Sequence, residues 1–136
     1  FIIANQHVHV LDEFNSFMEE EIYQMMVATT EDQDELILEN TTTLKVARWW
    51  NRACDIIPCN GGKDIGIQKI LDYFNFNKEE AMAFGDGGND ISMLKYVGTG
   101  VAMGNAKDNV KAIADYITDS VQEDGIVSAL KHFEIL

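Results

Sequence analysis

Ala81-Met82-Ala83-Phe84-Gly85-Asp86-Gly87-Gly88-Asn89-Asp90 runs directly into Ile91-Ser92-Met93-Leu94-Lys95-Tyr96-Val97. A short apolar run bounded by glycine reads as a buried strand of a parallel sheet. Ligands of such sheets bind beyond the carboxyl ends of the strands, and Asp86 stands at one. The glycines after it let backbone approach a ligand closely. Two carboxylates in a polar loop, Asp86 and Asp90, suit a hard cation such as Mg²⁺. A plainer reading also fits: Asn89 or Asp90 caps the following helix. Two other motifs do not fit. A calcium loop counted from Asp86 wants glycine where Ile91 stands, and a dinucleotide fingerprint wants glycine where Asp90 stands.

Downstream, the pattern is regular. Residues 91–97 read as a helix stopped before Gly98, and Gly100–Gly104 as a second buried strand. Asn105 is placed to cap a helix over Ala106–Ala114, with Asp108 in its first turn. Tyr116-Ile117-Thr118 is a third strand, and Gly125–Phe133 a closing helix. Just upstream, Asp64–Phe74 carries apolar residues at Ile65, Ile67, Ile70, Leu71 and Phe74, the stripe of an amphipathic helix. Asn77 and Glu80 have the spacing of a capping box. Strands alternating with helices predict an α/β fold with a parallel, Rossmann-like sheet.

Before Lys63 the texture changes. Tyr23–Ala28 reads as a strand, Thr30 and Gln33 as a capping box for a helix over Glu31–Glu39, and Leu44–Trp50 and Cys54–Cys59 as further strands. That order suits an α+β piece. The boundary is expected at Asn60-Gly61-Gly62, dividing the chain into 1–60 and 61–136. His7 and His9 alternate as on one strand face, where solvent-facing histidines are as natural as a metal pair. Trp49 and Trp50 are expected to pack rather than bind.

The 136 residues include 23 acidic and 10 basic side chains, a net charge of −13. No basic stripe is visible, which argues against nucleic-acid binding. So acidic a protein needs a local cation to accept an anionic substrate. Two cysteines, Cys54 and Cys59, are too few for a four-sulfur zinc site or a disulfide framework. No apolar run approaches the ~20 residues of a membrane span, and no basic-then-apolar leader opens the chain. A soluble, cytoplasmic protein is the expectation.

Lys63 follows Asn60-Gly61-Gly62 and opens the first regular helix. One cation and two carboxylates around one cleft would suit phosphoryl transfer. Three stretches now point the same way. Gly61-Gly62-Lys63-Asp64, Gly85-Asp86-Gly87-Gly88-Asn89-Asp90, and Gly100-Val101-Ala102-Met103-Gly104-Asn105-Ala106 with Ala114-Asp115-Tyr116 and Glu123-Asp124-Gly125 stand in order. In this they resemble the haloacid dehalogenase-like hydrolases, most closely the Cof-type branch. Glu21–Pro58 more loosely resembles the later part of that family's α/β cap domain. The resemblance implies a Mg²⁺-dependent phosphatase acting on small phosphate monoesters such as sugar phosphates. It implies that Asp86 ligates the metal, that Asp90 completes or orients the metal shell, and that Lys63 holds the phosphoryl group. Asn89 and Asn105 would line the site.

The family's nucleophile and general acid lie in an Asp-x-Asp motif. The chain's sole Asp-x-Asp, Asp32-Gln33-Asp34, falls in the cap-like stretch and lacks the family's following Gly-Thr. The expectation is therefore a C-terminal fragment with its nucleophile upstream of Phe1, inactive alone. Its partners would be a small phosphorylated metabolite and either the missing half or a second copy. Two alternatives stay open: a non-catalytic binding module with a vestigial metal loop, or a phosphomutase on the same scaffold.

Overall fold

The structure, a computed structural model, describes residues 21–136. His7 and His9 lie outside the described residues. Two three-stranded sheets organise the rest. The first is antiparallel, in the order β1-β3-β2, from β1 (Met25–Val27), β2 (Leu44–Trp50) and β3 (Ala53–Pro58). β2 and β3 form a hairpin paired from Leu44↔Pro58 to Trp50↔Ala53, with a register slip between Arg48 and Trp50. Apolar residues bring it together: Ala53, Cys54 and Ile56 are buried. Burial also pushes the Cys54 thiol above its ordinary value, as befits an idle core cysteine.

The segment before the hairpin departs from expectation. The single helix over Glu31–Glu39 is instead a 3₁₀ turn at Glu31–Gln33 followed by a short α1 (Asp34–Leu38). Thr30 makes no side-chain cap. Its neighbour Thr29 donates to the Gln33 side chain instead, at 2.6 Å. A different bond decides the geometry: Arg48 on β2 reaches the Asp34 carboxylate and the Thr29 carbonyl, the latter at 2.8 Å. That ion pair clamps the start of α1 onto the sheet.

The second sheet is parallel, β4-β5-β6, from β4 (Met82–Gly85), β5 (Thr99–Ala102) and β6 (Tyr116–Ile117). Around it lie α2 (Lys63–Phe74), α3 (Ile91–Tyr96), α4 (Asp108–Lys111) and α5 (Gly125–His132). The parallel α/β architecture is as expected. The Asn77–Glu80 capping box forms, with the Asn77 backbone N–H donating to Glu80 at 2.8 Å. The helix assigned to Ala106–Ala114 contracts to α4, which starts after Lys107. Ala83, Leu94, Val97, Ala102, Ala106 and Val110 make one core cluster where α3 and α4 meet the strands. The change of architecture falls in the Asn60–Gly62 turn, where Gly62 takes φ +127°. Only glycine occupies that region without strain.

Among the described residues, no strand pairs with the outer edge of β4. On α2, Ile70, Tyr73 and Phe74 are each more than half exposed, with Tyr73 at 82%. A bare strand edge and exposed apolar side chains each invite association. The 136-residue chain purified alone is expected to self-associate with rising concentration, read by light scattering after gel filtration. A monodisperse monomer across that range would show that this edge is otherwise protected.

Candidate functional site

The site grows from the carboxyl end of β4. Gly85 ends the strand, Asp86 follows, and a 3₁₀ turn at Gly88–Asp90 leads into α3. Asp90 is buried, at 5% exposure, and both its oxygens are occupied. Oδ2 accepts the backbone N–H groups of Asp86 (3.0 Å) and Gly87 (2.9 Å), and Oδ1 accepts Lys63 Nζ. Asp90 stands at the N-cap position of α3 but makes no side-chain cap there; its carboxylate turns back to the preceding loop and to Lys63 instead. Burial alone would raise its pKa. The hydrogen bonds from Lys63, Gly87 and Asp86, with the lysine's charge, outweigh that and hold it below the ordinary carboxylate value.

Lys63 is the first residue of α2, and its side chain is half exposed. The next residue, Asp64, accepts the Ser92 hydroxyl at 3.1 Å. The starts of α2 and α3 are thus tied side by side. Asn105 is not a helix cap. Its amide donates to Asp86 Oδ2 at 2.9 Å, and its carbonyl accepts the Val121 N–H at 3.1 Å. Lys63, Asp86, Asp90 and Asn105 thus form one hydrogen-bonded loop system. Asn89 stands beside it on the wall of a cavity.

The donor set can be weighed against Mg²⁺. Asp86 is exposed, and only one of its oxygens is engaged within the described residues. Asp90 has neither oxygen free. Among the described residues, no three His, Cys, Asp or Glu side chains gather as a closed metal cage. The free oxygen of Asp86 is a donor of the kind Mg²⁺ takes, since that ion keeps several waters and uses one or two carboxylates together with substrate oxygens.

The cavity, of about 580 Å³, lies between the antiparallel sheet and this loop. Lys63, Asn89 and Ser92 line one wall, and Lys45, Asp55 and Ile57 the other. The two walls meet backbone to backbone: a Cβ on Gly88 would stand 2.5 Å from the Arg48 carbonyl oxygen. Sequence reasoning passed over Lys45, Asp55 and Ser92, because nothing local marks a strand residue as facing a cavity. Trp49 and Trp50 line a separate, smaller cavity of about 380 Å³. Of Asp32 and Asp34, the latter is committed to Arg48.

The Asp90 pair has a defined pH signature. A carboxyl held below its ordinary value of 3.8 stabilises the fold above that pH, and the contribution is lost as pH falls through the lowered value. Asp90→Asn should be less stable than the unchanged protein at neutral pH. The gap should narrow below about pH 4. Urea midpoints between pH 7 and 3 measure this, and a constant gap would show that the carboxylate is not held as described.

Residues 4–130 match the haloacid dehalogenase-like hydrolase family. The Bacillus subtilis protein YkrA is 40% identical over 116 residues, covering 85% of this chain and 45% of that one. Kanosamine-6-phosphate phosphatase of the same organism is 43% identical over 77 residues, 57% of this chain and 27% of that one. The solved structure of the subclass IIB sugar phosphatase BT4131 superposes with a TM-score of 0.84 at 43% identity, over 90% of this chain and 47% of that one. The chain thus spans less than half the length of these relatives. A family match across nearly the whole sequence, on a fold that joins Lys63 to the Asp86–Asp90 loop, makes this chain a member of the haloacid dehalogenase-like hydrolases.

Proposed function

We propose that this chain carries the lysine and metal half of a Mg²⁺-dependent phosphatase for small phosphate monoesters such as sugar phosphates. The nucleophilic aspartate comes from residues outside these 136. One observation supports this above the others: Lys63 and the Asp86–Asp90 loop are locked together at the mouth of a cavity. The named activities of the relatives agree, one on a hexosamine phosphate and one on sugar phosphates.

Each side chain has a task in this reading. Asp86, steadied by Asn105, would hold Mg²⁺, whose charge when bound would offset that of the phosphate. Lys63 has a half-exposed ammonium with donors to spare beyond Asp90. It stabilises negative charge on the transferring phosphoryl group. Asp90 orients that ammonium and fixes the Asp86 and Gly87 backbone rather than ligating metal directly. Asn89 lines the phosphate end of the cavity. The antiparallel sheet acts as the cap over the leaving group.

The test uses the full-length protein, p-nitrophenyl phosphate and Mg²⁺. Turnover should vanish in excess chelator. Asp86→Ala and Lys63→Ala should each lower kcat by about 10²–10³-fold, the usual cost of removing a group that stabilises developing charge. Release of inorganic phosphate rather than transfer to a second hydroxyl separates hydrolysis from mutase chemistry. Full activity in chelator would sink the metal assignment, and an unchanged kcat for Lys63→Ala would reduce that residue to a helix start.

A further inference from the structure

The cavity wall opposite Lys63 carries two charged side chains, Lys45 and Asp55, with no bonded partner among the described residues. Register places Ala47 against Asp55 and Lys45 against Ile57. Each member of the second pair lies two residues from its strand-mate in the first, so all four share one face of the sheet. Lys45 and Asp55 are diagonal neighbours there, about 7–8 Å apart at the backbone. Both are half-buried and both line the cavity. Among the described residues, neither side chain takes part in an ion pair or hydrogen bond. Lys45 Nζ lies 3.5 Å from where a Cβ on Gly62 would sit, close to the turn that delivers Lys63. Between the charges the wall is small or apolar, at Ala47 and Ile57.

We infer that Lys45 and Asp55 are specificity residues that select a polyhydroxylated leaving group. This rests on the phosphatase reading above. The argument is one of matching. A carboxylate only accepts hydrogen bonds and an ammonium only donates them. When a substrate fills the cavity and expels water, both charges lose hydration, which is costly unless each gains a partner. An aryl or alkyl group offers partners to neither. A hydroxyl both donates and accepts, so neighbouring hydroxyls serve Asp55 and Lys45 together. Sites built to bond a hydroxyl reject the analogue that lacks it far more strongly than apolar pockets discriminate by size. Ile57 and Ala47 then pack the carbon skeleton between the two polar contacts.

The experiment compares kcat/KM for a panel of hexose 6-phosphates with that for p-nitrophenyl phosphate, in the full-length protein and in Asp55→Ala, Asp55→Asn and Lys45→Met. The sugar-to-aryl ratio should fall at least tenfold in Asp55→Ala and Lys45→Met. The Asp55→Asn amide still accepts a hydrogen bond and should restore part of it. Circular dichroism and melting of each variant separate this from misfolding. A ratio that stays within twofold while both esters are turned over overturns the inference and leaves the phosphatase reading standing. Equal losses on both esters also overturn it, since Asp55 and Lys45 would then serve a step common to all substrates. No turnover of either ester by the unchanged protein overturns the phosphatase reading, and this inference with it.

Discussion

A buried carboxylate with three donors holds this structure's working parts in place. Asp90 lies under the loop that leaves β4 and pulls two of its backbone N–H groups inward, while its other oxygen holds the Lys63 ammonium. Burying a carboxylate is expensive unless it is fully bonded, and here it is. The arrangement also joins distant parts of the chain, because Lys63 opens α2 and Asp90 precedes α3. Replacing either partner leaves the other charge without its counterpart. The Asp64–Ser92 bond repeats the link one residue further along α2 and two residues beyond Asp90, in an exposed setting where it contributes less.

From that anchor, the roles divide by oxygen atoms. Asp90 has none left over, while Asp86 presents an exposed carboxylate steadied from one side by Asn105. Two aspartates four positions apart thus take opposite parts: one is spent on architecture, the other is left available. Asn105 does a similar double service, linking Asp86 to the Val121 backbone beyond β6. The end of β4 is therefore braced from α2 and from the segment ahead of α5.

How far the sequence revealed this depends on the range of the interaction. The Gly85–Asp90 loop, Lys63 and the strand–helix alternation were legible because each is marked by neighbours within a few residues. Asn77 and Glu80 cap as their spacing predicts, since nothing distant competes. Thr30 has the right spacing too, yet makes no cap: the Gln33 side chain is bonded by Thr29, and Arg48, 19 positions beyond Thr29, holds the Thr29 carbonyl. Asn105 failed as a cap for a similar reason: its side chain is claimed by Asp86 and Val121. Lys45 and Asp55 carried no signal at all, since which face of a strand looks onto a cavity depends on the other half of the fold.

The contact between Gly88 and the Arg48 carbonyl has a consequence for how such a cavity changes over evolutionary time. Position 88 works as a spacer between the hairpin and the loop, and glycine is the thinnest spacer available. Any side chain there would force the hairpin or the Gly88–Asp90 turn to give way, and so reset the space between them. The height of the cavity is thereby set at a single backbone contact, and a lineage could re-gauge the chamber by changing one residue.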